Sequence, residues 1–85
     1  MRSLANAAKK VVGFKQCLKA AESGQAQSVY LARDVEEKIR RPLLETCQKR
    51  GIPVIEADSM AELGKASGIR IGTAAAAILH PDTAK

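Results

Sequence analysis

Residues 73–79 read TAAAAIL, and this run constrains the fold more than any other stretch. Small apolar side chains in a strand leave little volume for whatever covers its two faces. The run therefore predicts a central strand with helices packed closely on both sides. The rest of the chain alternates to match. SVYLA (28–32) and IPVIEA (52–57) read as further strands, β-rich and mostly apolar, and Val11–Val12 as a very short one.

Helical spacing fills the intervals. Ser3 is placed to cap a first helix, with Leu4, Ala7, Ala8 and Val11 recurring at helical spacing. In a second helix, from about Phe14 to Ser23, Phe14, Cys17, Leu18 and Ala21 follow the i, i+3, i+4, i+7 stripe of a core-facing surface. Lys15, Lys19 and Glu22 take the opposite side with Gln16 beside them, and Gly24 is placed to end the helix. Val35, Ile39, Leu43 and Cys47 repeat every four residues in a third amphipathic element, which Asp34 is placed to cap. Pro42 falls inside it, and a proline belongs in a helix's first turn. A short turn at 35–40 and a main helix at 42–50, closed by Gly51, are therefore expected. Ser59 and Glu62 have capping-box spacing ahead of a fourth helix, with Met60, Leu63 and Ala66 facing inward and Gly68 closing it. IRIG (69–72) reads as a loop, and HPDTAK (80–85) as a frayed tail. Helix and strand alternate throughout, which predicts an α/β/α sandwich of three layers in a single domain over residues 1–85.

Composition narrows the function. Phe14 and Tyr30 are the whole aromatic complement, so the core must be aliphatic. That scarcity argues against a sheet that stacks bases on exposed rings. Fourteen Lys and Arg against nine Asp and Glu give a net charge of +5, which favours a polyanionic partner. Cys17 and Cys47 lie on apolar helix faces without a CxxC motif, as small hydrophobes in a reducing cytoplasm. The start, MRSLANAAKK, is too short and too polar for a signal peptide, and no apolar run suggests a membrane span.

Catalytic patterns are missing. His80, the sole histidine, follows the last strand, so a Cys17–His80 dyad is not expected, and Cys17, Cys47 and His80 lack zinc-ligand spacing. LGKASG (63–68) ends a helix instead of linking a strand to one, so it is not a phosphate loop. Asp34, Glu36 and Glu37 read as a solvated helix start. Neither an enzyme nor a cofactor is expected.

The segment LGKASGIRIGTAAAAIL (63–79) resembles the C-terminal signature of the kink-turn RNA-binding ribosomal protein family called L-seven-Ae: Leu-Gly-x-Ala-x-Gly-Ile, a short loop and a small-residue strand. GFKQCLK (13–19) resembles that family's Gly-x-Asn-Glu-x-x-Lys helix start, YLARDVEE (30–37) its strand ending Ala-x-Asp, and RGIPVIEADSMAELG (50–64) its Ile-Pro strand and Ser-led helix. Lys15 and Gln16 stand where Asn and Glu are typical, as in the bacterial branch. Arg70 replaces an acidic residue and Gly72 a proline.

The resemblance implies a small mixed sheet and a ribosome-associated ribonucleoprotein component. Its partner would be an RNA kink-turn, in ribosomal RNA or a riboswitch, with tandem sheared G·A pairs and a flipped-out nucleotide. The backbone N–H groups from Gly13 and Phe14 to Lys15 and Gln16 would meet an anionic backbone, since helix starts carry unpaired donors and partial positive charge. Lys15 would donate to guanine O6 and N7, Gln16 would both donate and accept, and Lys19 would take a phosphate. Arg33, at the mouth of a strand, would lie beside the same helix start. Ile69, Arg70, Ile71 and Gly72 would form a second contact, an apolar tip against an unstacked base with Arg70 stacking or pairing. A monomer is expected. The rival readings are a general ribosome- or tRNA-binding accessory protein and a protein-interaction module on the same fold.

Overall fold

The computed structural model describes residues 9–68 and 72–80. The chain runs β1 (Lys10–Val12), α1 (Phe14–Glu22), β2 (Ala26–Ala32), α2 (Glu37–Arg50), β3 (Val54–Ala57), α3 (Met60–Ser67) and β4 (Ala75–Leu79). The four strands form one mixed sheet in the order β1-β4-β2-β3. β4 is antiparallel to both β1 and β2, and β2 is parallel to β3, so β1, β2 and β3 share one direction.

The alanine run does what its small side chains predict. β4 lies in the interior of the sheet, and Ala75, Ala76 and Ala77 are fully buried. Its neighbour β2 is buried on both faces as well, through Val29, Tyr30, Leu31 and Ala32. Successive strand residues point to opposite faces, so burial of every one requires cover on both sides. That is the layered arrangement expected from the sequence. The core is aliphatic apart from the buried Tyr30, with Leu31, Leu43, Leu63, Val29 and the two thiols as its largest fully buried side chains.

The first helix from Ser3 lies outside the described residues, and Val11 and Val12 lie in the short strand expected for them, β1, opposite Ala77 and Ala76 of β4. Three other expectations change. α2 does not break before Pro42: one helix spans Glu37–Arg50 with the proline inside. An interior proline costs about 3 kcal/mol, and local rules alone would place a boundary there. Packing overrides them. Leu43 and Cys47 just beyond are fully buried, and Arg40 just before donates to the carbonyls of Ala32 and Arg33 at 3.3 and 3.4 Å. The turn ahead of the proline is thereby tied to the sheet. Asp34 caps α3 instead of α2: its Oδ1 accepts from the Met60 N–H at 2.8 Å. Met60, expected to face inward, is exposed, while Ser67 is buried and donates through Oγ to the Leu63 carbonyl at 2.8 Å. The capping serine is as expected, with Ser59 Oγ accepting from the Glu62 N–H at 3.1 Å. Gly51 and Gly68 are the C-caps of α2 and α3. In the tail, the His80 N–H donates to the Gln25 carbonyl at 2.9 Å, and residues 81–85 lie outside the described residues.

Candidate functional site

The shared direction of β1, β2 and β3 decides where chemistry can gather. Each of these strands leads directly into a helix, so α1, α2 and α3 all start at one edge of the sheet, where β4 begins. Helix starts carry unpaired N–H donors and the positive end of the helix dipole. The crevice beyond strand carboxyl ends is where α/β sheets usually receive ligands.

The start of α1 is the most open of the three. Its N-cap, Gly13, provides no side-chain bond, and no acidic residue occupies the first turn. By contrast, α3 is capped by Ser59 and Asp34, and α2 carries Glu37 in its first turn. Gly13 adopts φ 109°, ψ 148°, a backbone conformation essentially restricted to glycine. A Cβ placed there would meet nothing within 4 Å, so the space above this turn is empty and an approaching backbone meets no side chain.

Hydrogen bonds lace the edge together. The Ala75 carbonyl accepts from the Gly13 N–H at 2.8 Å and from Thr73 Oγ1 at 3.0 Å. The Thr73 N–H donates to the Met60 carbonyl at 3.1 Å, and Gly72 approaches Met60 so closely that an added Cβ would lie 3.2 Å from its backbone. Asp34 holds Met60 from the β2 side, and the Arg33 N–H donates to the Ala57 carbonyl at 2.9 Å. Gly13, Gly72, Thr73, Met60, Asp34 and Arg33 thus occupy one edge in an unbroken series of contacts.

The sequence-derived residues fall as follows. Lys15, Gln16 and Lys19 are exposed on α1, and their side chains make no hydrogen bond or ion pair with other described residues. Gln16 and Lys19 line a groove of about 270 Å³ with Val11, Ala20 and Leu79. Phe14 is half-buried, its ring packed against the core. Arg33 is exposed at the end of β2, and its Nε donates to Glu56 Oε1 at 3.1 Å. Ile69, Arg70 and Ile71 lie outside the described residues.

The pairing of Arg33 was not visible in sequence, and neither was the role of Arg40. Glu56 accepts from both arginines, with Oε2 on Arg40 Nη2 at 3.0 Å. The Arg40 hydrogen bond, the positive charge of Arg40 and then that of Arg33 hold the Glu56 carboxyl below its usual range, against partial desolvation. The sequence signal was the two strand ends, LAR and EA, which meet only once the parallel register sets Leu31 opposite Glu56. Cys17 is not a reactive thiol: burial, then the neighbouring Cys47, pushes it up to about 12. Burial also raises Cys47. Among the described residues no cluster of His, Cys, Asp or Glu is arranged to hold a metal ion, and no helix is long and apolar enough to cross a membrane.

Three helix starts at one sheet edge, one of them with neither a side-chain cap nor an acidic residue in its first turn and followed by the unpaired side chains of Lys15 and Lys19, define an α/β domain with a surface receptive to anions. The chain belongs to the Ribosomal protein L7Ae/L30e/S12e/Gadd45 family, which it matches over residues 1–85. An RNA-binding protein from Caldanaerobacter subterraneus subsp. tengcongensis is 44% identical over 69 residues, covering 81% of this chain and 84% of that one. The RNA-binding protein YbxF of Geobacillus stearothermophilus is 40% identical over 74 residues, covering 87% and 90%. Among solved structures, a 15.5kD RNA binding protein from Giardia lamblia superposes with a TM-score of 0.83 at 27% identity, covering 95% of this chain and 68% of that one. A protein of unknown function from Bacillus halodurans C gives a TM-score of 0.79 at 27% identity, covering 91% and 77%.

Proposed function

We propose that this protein binds RNA at the edge described above and that its target is a kink-turn, whose bent form it stabilises without covalent chemistry. The relatives named as RNA-binding proteins support the first part. The observation that carries the second is the Ala75 carbonyl, which accepts from both Gly13 and Thr73. A ligand seated on the α1 start is then within reach of Gly72 and Thr73. The first proposed contact is the helix start with Lys15, and the second is assigned to Ile69, Arg70 and Ile71, which precede Gly72 in the sequence. Tandem G·A pairs present guanine edges to Lys15 and Gln16, and the crowded phosphates at the bend face the unpaired N–H groups of residues 14–16 and the Lys19 ammonium.

The mechanism is population shift. To carry an RNA from about 1% to about 99% bent, the protein must favour the bent form by about 5.5 kcal/mol. The protein acts as a monomer in the cytoplasm, on ribosomal RNA or a riboswitch. The test compares binding to a kink-turn hairpin with binding to the same hairpin whose G·A pairs are replaced by Watson–Crick pairs. A clear preference for the first supports the reading; equal affinity refutes the kink-turn assignment. Binding that ignores salt concentration would refute phosphate recognition and favour a protein partner.

A further inference from the structure

Among the carboxylates at this edge, one is held by two arginines. Glu56 sits at the end of β3, beside Arg33, with its side chain 41% exposed. It is nevertheless the best-connected carboxylate among the described residues, accepting from Arg33 Nε at 3.1 Å and from Arg40 Nη2 at 3.0 Å.

The two arginines are not equivalent. The Arg40 side chain is only 17% exposed, and its other terminal nitrogen, Nη1, donates to the carbonyls of Ala32 and Arg33. It is anchored in the fold. The Arg33 side chain is 64% exposed and engages Glu56 through Nε alone. Neither of its terminal nitrogens has a partner among the described residues. Within the Arg33–Glu56–Arg40 group, two guanidinium charges against one carboxylate leave one positive charge over. The outer part of that charge is a planar fork of donors, the geometry that suits a phosphate.

We infer that Glu56, fixed by Arg40, is a positioning residue that holds Arg33 with its terminal fork outward as a pre-set phosphate contact. The inference rests on the RNA-binding reading. A free arginine must lose side-chain rotamer freedom when it grips a ligand. Arg33 has already lost part of it to Glu56, so the cost at binding is smaller. The carboxylate therefore supports RNA binding although its own charge opposes it. Coulombic repulsion and positioning predict opposite signs for its removal.

That opposition supplies the experiment. Dissociation constants for a kink-turn hairpin are measured across a salt series for the wild-type protein, Arg33→Ala, Glu56→Gln and the double variant. Arg33→Ala is expected to weaken binding about tenfold, the loss of one charge-assisted contact, and to reduce the salt slope by about one. Glu56→Gln is expected to weaken binding although it removes a negative charge, and to add nothing in the Arg33→Ala background. Loss of affinity from general damage to the fold would persist in that background, so it is distinguishable from positioning. Tighter or unchanged binding by Glu56→Gln, or additive effects of the two changes, overturns the inference and leaves the proposed function standing. Failure of the wild-type protein to bind the hairpin overturns both.

Discussion

Replacing Gly13 with alanine tests the architecture of the edge directly. At φ 109°, ψ 148°, an L side chain is strained, and such positions cost about 1–3 kcal/mol. A Cβ would meet nothing within 4 Å, so no steric overlap adds to that figure. Alanine also restricts the unfolded chain, which offsets about 0.4–1 kcal/mol. The net expectation is a destabilisation of about 1–2 kcal/mol, or a fall in Tm of roughly 5–15 °C for a domain of this size. The chain could escape the strain by turning Gly13 to negative φ. That would break its bond to the Ala75 carbonyl and redirect the first turn of α1. Either route is read by urea and thermal unfolding followed by circular dichroism. RNA affinity measured well below Tm then separates the outcomes. Strain alone lowers stability and leaves affinity near wild type, whereas a redirected helix start lowers both. A variant as stable as the wild type, with unchanged affinity, would refute the conformational role given to Gly13.

Three further outcomes are expected. Lys15→Ala should weaken kink-turn binding by about 1–3 kcal/mol with unchanged unfolding, and a negligible loss in a filter-binding or gel-shift titration would displace the proposed site from α1. Asp34→Ala should cost about 1 kcal/mol and speed amide hydrogen exchange at the start of α3, not α2; the reverse pattern would contradict the cap on Met60. The thiol of Cys17 is held up to about 12 in the folded state, against 9.0 for a free thiol, so its contribution to stability is complete below pH 9 and is lost as pH rises toward the folded value. Urea midpoints should accordingly fall from about pH 9 upward, and Cys17→Ala should flatten that decline even if it lowers stability overall.

The sequence made legible whatever depends on side-chain size and period. TAAAAIL announced an interior strand because only small side chains fit between closely packed layers, and β4 occupies that position. The α1 stripe was equally plain, with Cys17 and Ala21 fully buried. The failures share a cause: in each, a partner distant in sequence outweighed a local rule. Pro42 should open a helix, yet the helix starts at Glu37 and runs through it, because Arg40 and Leu43 on either side are held by the sheet and the core. Asp34 stands where α2 would take a cap, but its carboxylate serves Met60, 26 residues away. Of the candidate site, the placement of Gly13, Lys15 and Gln16 at a helix start was legible, because a helix start is a local event. The Arg33–Glu56–Arg40 group was not, because it exists only once β2 and β3 are in register.

The common heading of β1, β2 and β3 has a practical corollary. Every turn that joins the end of a helix to the next of these strands, at 23–25 and 51–53, lies at the far pole of the molecule. A fluorophore, an affinity handle or a grafted peptide inserted beside the exposed Gly51 would therefore hang away from the edge proposed to face RNA. The scaffold has a natural back, by which it can be labelled or immobilised with the three helix starts unobstructed.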